Sequence, residues 1–178
     1  MAKIKVTKLE AAQRQIDAAI RLLFKNEDPV AIHTVAAAGL QILKDLAKKD
    51  TTQVWQMMDQ CFRPGMRKKW RNEVENKAVN FLKHADKDPD EVLENVDEII
   101  NDLTLFSACI LYDDLGHQYT PEMTGFMIWY SGIFPDHIRD DLPWSAMLAE
   151  AANNWCDLPR NEQLAFGKEI LDMCRQSH

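Results

Sequence analysis

Asn80 and His84 lie one helical turn apart near the end of a predicted helix, so their side chains share one face. His84 titrates near neutral pH and can act as a general acid or base, and Asn80 can hold the imidazole ring or orient a substrate. Lys83 adds a positive charge that can meet a phosphate. These three residue types at this spacing form a candidate catalytic set for chemistry on a phosphodiester.

The same residues also suit a purely structural role. A cationic side chain near the C-terminus of a helix interacts favourably with the last carbonyl groups, and an Asn one turn earlier can pack by hydrogen bonding. We favour this structural hypothesis for Asn80 and His84. The catalytic hypothesis stays open as the alternative.

Further candidate residues for ligand binding lie around this motif and in an earlier helix. Lys77 and Arg71 are on the same predicted helix, and Asp86 begins the polar connection that follows it. His33 interrupts the apolar surface of the second predicted helix. A lone His in such a place is more often a hydrogen-bonded core residue than a ligand, so His33 is a second-rank candidate.

A metal or small-ligand site near His84 and Asp86 is a third hypothesis, because Asp88 and Asp90 follow closely and carboxylates bind hard cations. The spacing lacks the Gly and the terminal Glu of an EF-hand. The paired Glu-x-x-His motifs of di-iron bundles do not occur in the chain. We therefore predict no metal ligand and no cofactor.

Length and composition are typical of one globular domain. The chain has 178 residues, of which 46% are hydrophobic and 28% charged, and it has neither a signal-peptide pattern nor a long apolar run. We therefore expect a cytoplasmic protein that does not enter a membrane. The four cysteines form no CxxC pair, which predicts reduced thiols. A net charge of −7 opposes non-specific binding to nucleic acid, although residues 61–87 carry eight basic and three acidic side chains.

Apolar spacing predicts an all-α protein of about seven to eight helices, arranged as a bundle in a single domain over residues 1–178. The predicted helices cover residues 7–24, 29–47, 51–61, 66–84, 96–115, 120–135, 143–156 and 159–175. Residues 7–115 form the expected core of the bundle, and residues 116–178 form helices that pack on it. The second helix is strongly apolar and is expected to lie centrally.

The segment from Met123 to Tyr130 is rich in aromatic residues and methionine, which favours a place in the core. Its apolar residues cover more than one helical face, so some of this surface is expected to need a partner. A homodimer is the simplest such partner, because two-fold symmetry is the commonest arrangement. A different protein partner is also possible.

An all-helical bundle with Asn80-x-x-x-His84 on an inner helix resembles the HEPN (higher eukaryotes and prokaryotes nucleotide-binding) superfamily, whose signature reads Arg-Asn-x-x-x-His. The resemblance implies a HEPN-like core. If the protein is an enzyme, it implies a metal-independent, ribonuclease-like activity in a groove shared by two subunits. Val79 stands where that signature has its arginine, which implies a non-nucleolytic member. The segments 31–38 and 80–86 are also similar to a group of uncharacterised bacterial proteins.

The sequence thus predicts a non-catalytic HEPN-like interaction or binding module. The alternative is an RNA- or nucleotide-directed protein that uses His84 with Asn80 and Lys83. The first hypothesis accounts better for Val79 and for the acidic net charge.

Overall fold

The computed structural model describes residues 4–47, 90, 92, 98–137 and 155–177. These residues form five α-helices: α1 (Lys8–Phe24), α2 (Pro29–Leu46), α3 (Ile99–Asp114), α4 (Pro121–Ile133) and α5 (Arg160–Gln176). Two short 3-10 helices, Pro135–His137 and Trp155–Asp157, follow α4 and precede α5. No strand occurs in these parts of the chain, which confirms the all-α prediction for them. The predicted helices 51–61 and 66–84 lie outside the described residues, as does 143–156 except for its last two residues.

Three of these helices begin at the capping residues that the sequence predicted. Thr7 Oγ1 accepts a hydrogen bond from the backbone N–H of Glu10, whose carboxylate accepts one from the N–H of Thr7, so a capping box opens α1. Asp28 caps α2 and Thr120 caps α4, each followed by a proline in the first turn. Each cap satisfies backbone donors that the helix itself leaves free.

Contacts near the helix ends define the directions of the five helices. The hydroxyl of Tyr112, near the end of α3, donates a hydrogen bond to Gln13 near the start of α1, so these two helices are antiparallel. Asn101 at the start of α3 contacts His33 near the start of α2, and Asp102 contacts Arg160 at the start of α5, so the starts of these three helices lie at the same end of the bundle. Arg175, near the end of α5, donates a hydrogen bond to Glu122 at the start of α4, and α4 therefore runs antiparallel to α5.

Helix α3 is the most buried of the five, and every residue from Ile100 to Tyr112 is buried. The sequence predicted a central position for the second helix; α2 packs against both α1 and α3, but it is less buried than α3 and exposes Val30 and Leu46 near its two ends. Because α3 carries several polar residues, the sequence did not predict how deeply it is buried. Thr104 and Ser107 donate their hydroxyl protons to carbonyl oxygens one turn earlier, which satisfies them inside the core.

One continuous apolar core contains residues of all five described helices. The aromatic segment of α4 contributes Phe126, Trp129 and Tyr130, each fully buried, which confirms the core interpretation for these side chains. Ile128 remains half-buried on the side of α4 that faces α5. No described helix combines the length with the apolar character needed to cross a bilayer.

Candidate functional site

The candidate catalytic residues Asn80, Lys83 and His84 lie outside the described residues. The same holds for three of the candidate ligand-binding residues, Lys77, Arg71 and Asp86. His33 is the sequence-predicted candidate whose surroundings the structure defines.

His33 lies in α2 with 3% of its surface exposed, and its Nδ1 is 3.1 Å from Oδ1 of Asn101 in α3. Asn101 donates its own side-chain N–H to the carbonyl oxygen of Pro29 at 3.0 Å. That bond fixes the orientation of the amide, so its oxygen faces His33 and the Nδ1 of His33 carries the proton. His33 is therefore the hydrogen-bonded core residue that the sequence favoured.

The other ring nitrogen of His33, Nε2, is buried and has no hydrogen-bond partner. Burial lowers the pKa of His33 below its usual value, and the bond to Asn101 opposes that shift. The neutral ring with a free Nε2 lone pair would suit a general base or a metal ligand. However, within residues 4–47, 98–137 and 155–177, no three His, Cys, Asp or Glu side chains come together as a metal site.

A partly buried ion pair connects α3 with α5 at the same end of the bundle. Asp102 has a fully buried side chain, and its Oδ1 accepts a hydrogen bond of 2.8 Å from Arg160. The Arg160 guanidinium also lies over the ring of Trp129, 5.2 Å from its centre. A carboxylate held this way fixes the start of α5 against α3.

Tyr130 and His137 form a second polar contact close to this ion pair. The Tyr130 hydroxyl oxygen lies 3.0 Å from Nδ1 of His137, and the His137 ring stacks on Phe134. Burial raises the pKa of Tyr130 well above its ordinary value, and the nearby charge of Asp102 raises it further. The phenol therefore stays protonated and serves as a hydrogen-bonding group.

A buried carboxylate, Asp17, links α1 to the start of α4. Thr120 donates a hydrogen bond of 2.6 Å to Oδ1 of Asp17. The pKa of Asp17 is raised to about 6, mainly by burial and also by the charge of Glu122, against the opposing effect of the bond from Thr120. The Asp17 carboxylate in turn adds to the effect of burial in raising the pKa of Cys109 and Tyr112.

Glu122 holds three helices together. Its Oε1 accepts hydrogen bonds of 2.8 Å from both Arg21 in α1 and Arg175 in α5. Burial alone would raise the pKa of Glu122, but the bonds from Arg175 and Arg21 outweigh it and hold the pKa below its ordinary value. The Glu122 carboxylate therefore stays charged and fixes α4 against α5.

An apolar groove with a volume of about 420 Å³ lies between α4 and α5. The described residues of its lining are Thr124 and Ile128 from α4, Trp155 from the second 3-10 helix, Phe166, Ile170, Met173 and Cys174 from α5, and Ser177 directly after α5. The stretch from Phe166 to Ser177, the residue that follows α5, is about 16 Å long. Met173 at the edge is 58% exposed, which is high for a large apolar side chain.

No family model, curated protein or solved structure matches this chain. The resemblance to HEPN proteins therefore rests on the all-helical architecture and on the short motif from Asn80 to His84.

Sequence reasoning missed the buried carboxylates Asp17 and Asp102, the half-buried Arg160 and the groove. Asp102 falls at the end of an acidic stretch that resembles a solvated surface. Its partner Arg160 follows 58 residues later, so no local pattern reports the pair. The apolar stripe of α5 was visible in the sequence, but which part of it stays uncovered depends on how α5 packs against α4.

Proposed function

We propose that this chain is a non-catalytic helical binding module and that the groove between α4 and α5 is its binding face. The observation that carries the proposal is the apolar lining of the groove, which the described residues leave open, with Met173 exposed at its edge. The lining residues in the described chain include no carboxylate, imidazole or cationic group. Their polar side chains are the hydroxyls of Thr124 and Ser177 and the thiol of Cys174, which suits binding better than acid or base chemistry.

The occupant that fits this groove is an apolar helical segment of a partner protein. The groove runs along about three turns of α5, and a helix can insert apolar side chains at three- and four-residue spacing into such a channel. The two helices that form the groove are held together by the hydrogen bond from Arg175 of α5 to Glu122 of α4. A preformed groove of this kind lowers the cost of ordering the site on binding.

Two carboxylates that connect helices of the described chain support the non-catalytic part of this proposal. Asp102 is engaged by Arg160, and Glu122 is engaged by Arg21 and Arg175, so these groups are committed to contacts between helices. The HEPN-like core, the homodimer and an RNA- or nucleotide-directed role for His84 remain predictions from the sequence.

The binding face can be tested with a labelled peptide of about 14 residues that carries leucines at helical spacing and glutamine elsewhere. Fluorescence anisotropy of the peptide would be measured against wild-type protein and against Ile128→Gln and Met173→Gln, which add polarity to the groove. The matched control is Leu46→Gln, because Leu46 is an exposed apolar residue outside the groove. We expect both groove variants to weaken binding at least about fivefold and the control to leave it unchanged. Equal binding by all four proteins would reject the groove as the binding face.

A further inference from the structure

Two acidic side chains lie in the same helical stripe as the groove lining. Glu162 and Glu169 alternate with Phe166 and Met173 along α5, at successive spacings of four, three and four residues. Residues three or four positions apart are neighbours on a helix surface, so these four side chains share one face. Both glutamates are exposed, whereas Phe166 is half-buried in the groove.

The basic residues of α5 are placed elsewhere. Arg160 is bonded to Asp102, and Arg175 is bonded to Glu122. Lys168 lies midway between Phe166 and Ile170 in sequence, and a two-residue step turns a helical side chain away from that face. The edge of the groove on α5 is therefore negative, in a chain whose net charge is −7.

We propose that the segment bound in the groove is a basic amphipathic helix of a partner protein. This inference rests on the proposed function and adds the charge of the partner. The apolar face of the partner helix would fill the groove, and its Lys or Arg side chains would meet Glu162 and Glu169. These glutamates are seven residues apart, about 10 Å along the axis, which favours basic residues two turns apart on the partner.

The charge of the partner can be tested with three labelled peptides that share one apolar pattern. Their positions beside the apolar stripe carry Lys, Gln or Glu. We expect the Lys peptide to bind at least about tenfold more tightly than the Glu peptide at low salt, with the Gln peptide in between. The difference should shrink as salt is added, because exposed charges are screened.

Two matched double variants distinguish an effect of the charges beside the groove from an effect of the overall net charge. Glu162→Gln with Glu169→Gln removes the two charges beside the groove, and Glu27→Gln with Asp136→Asn removes two exposed charges elsewhere. We expect the first pair to abolish most of the preference for the Lys peptide and the second pair to preserve it. Thermal melts of both proteins would confirm that the fold is retained.

The possible results distinguish the two proposals. If all three peptides bind equally and Ile128→Gln weakens each of them, the groove is a binding face and the inference about charge is wrong. If no peptide binds, or if Ile128→Gln changes nothing, the proposed function fails as well. A preference for Lys that survives the loss of Glu162 and Glu169 would mean unspecific attraction and would overturn the inference. Sedimentation showing a dimer that Met173→Gln dissociates would assign the groove to a second copy of the chain and would also overturn it.

Discussion

Thr120 donates a hydrogen bond of 2.6 Å to the buried carboxylate of Asp17 while its own oxygen accepts one from the N–H of Met123. One hydroxyl therefore both caps α4 and satisfies a buried charge on α1. The bond only partly offsets the cost of burying Asp17, whose pKa is raised to about 6. The contact between α1 and α4 is consequently sensitive to pH.

Asp17→Asn should stabilise the protein at neutral and alkaline pH. Between pH 3.8 and about 6, the folded state binds more protons at Asp17 than the unfolded state does, so stability falls as the pH rises through this range. Asn keeps an acceptor for Thr120 and cannot ionise. We expect the free energy of unfolding of the variant to exceed that of the wild type by up to about 3 kcal/mol at pH 8, and the difference to shrink below about 1 kcal/mol near pH 4.

Urea unfolding at a series of pH values measures this difference directly. Asp113→Asn is the matched control, since it replaces an exposed carboxylate near the end of α3. If the gain in stability from Asp17→Asn did not change with pH, the assignment of a raised pKa to Asp17 would be contradicted.

His33 should make the protein sensitive to acid. Its pKa is lowered in the folded state, so below the unfolded value of 6.5 the unfolded chain binds more protons, and stability falls as the pH drops. His33→Gln replaces the ring with an amide that can donate to Asn101 but does not titrate. We expect the wild type to lose more stability than the variant between pH 7 and pH 5, as measured by chemical denaturation. Parallel curves for the two proteins would show that His33 is not responsible.

The parts of the fold that local chemistry determines could be predicted from the sequence. The capping box of Thr7 and Glu10 and the cap of Thr120 each involve residues three positions apart, so their pattern is visible along the chain. The role of His33 as a core residue followed from its position on an apolar helix. Only the structure could identify its partner Asn101, which lies 68 residues later.

The elements that depend on packing could not be predicted. Helix α3 looked less apolar than α2 because it carries Asn101, Asp102, Thr104 and Ser107, yet all four are buried with hydrogen-bond partners. The groove likewise exists because α5 leaves part of its apolar stripe uncovered by α4. Neither feature has a period or a spacing that a sequence reader could recognise.

Leu43→Ala should be strongly destabilising although α2 is less buried than α3. The Leu43 side chain is fully buried, so truncation removes apolar contacts and leaves a cavity. We expect a loss of about 2 to 5 kcal/mol in the free energy of unfolding. Leu46→Ala on the same helix is the control, because Leu46 is 42% exposed and should cost less than about 1 kcal/mol. Similar losses in both variants would mean that burial does not distinguish the two positions.

Gly167→Ala should destabilise the contact between α5 and α1. A methyl group at Gly167 would overlap the ring of Phe24, which packs edge-on against Trp129. We expect a loss of about 1 to 3 kcal/mol, the usual cost of overpacking a core. Phe24→Leu should cost less stability in the Gly167→Ala background than in the wild-type background, because the smaller side chain makes room for the methyl group. Strict additivity in this double-mutant cycle would show that the two positions do not clash.

The non-catalytic hypothesis predicts that the protein does not cleave RNA. Val79 takes the place of the arginine in the HEPN-like motif and cannot bind a phosphate or stabilise negative charge in a transition state. Lys83 is the nearest cation in sequence to His84, but an ammonium group lacks the bidentate geometry of a guanidinium. We expect no cleavage of a mixed RNA pool by the wild type, His84→Ala or Lys83→Ala, as measured by gel electrophoresis after long incubation. Cleavage by the wild type that His84→Ala abolishes would instead establish the RNA-directed alternative, with His84 as its general acid or base.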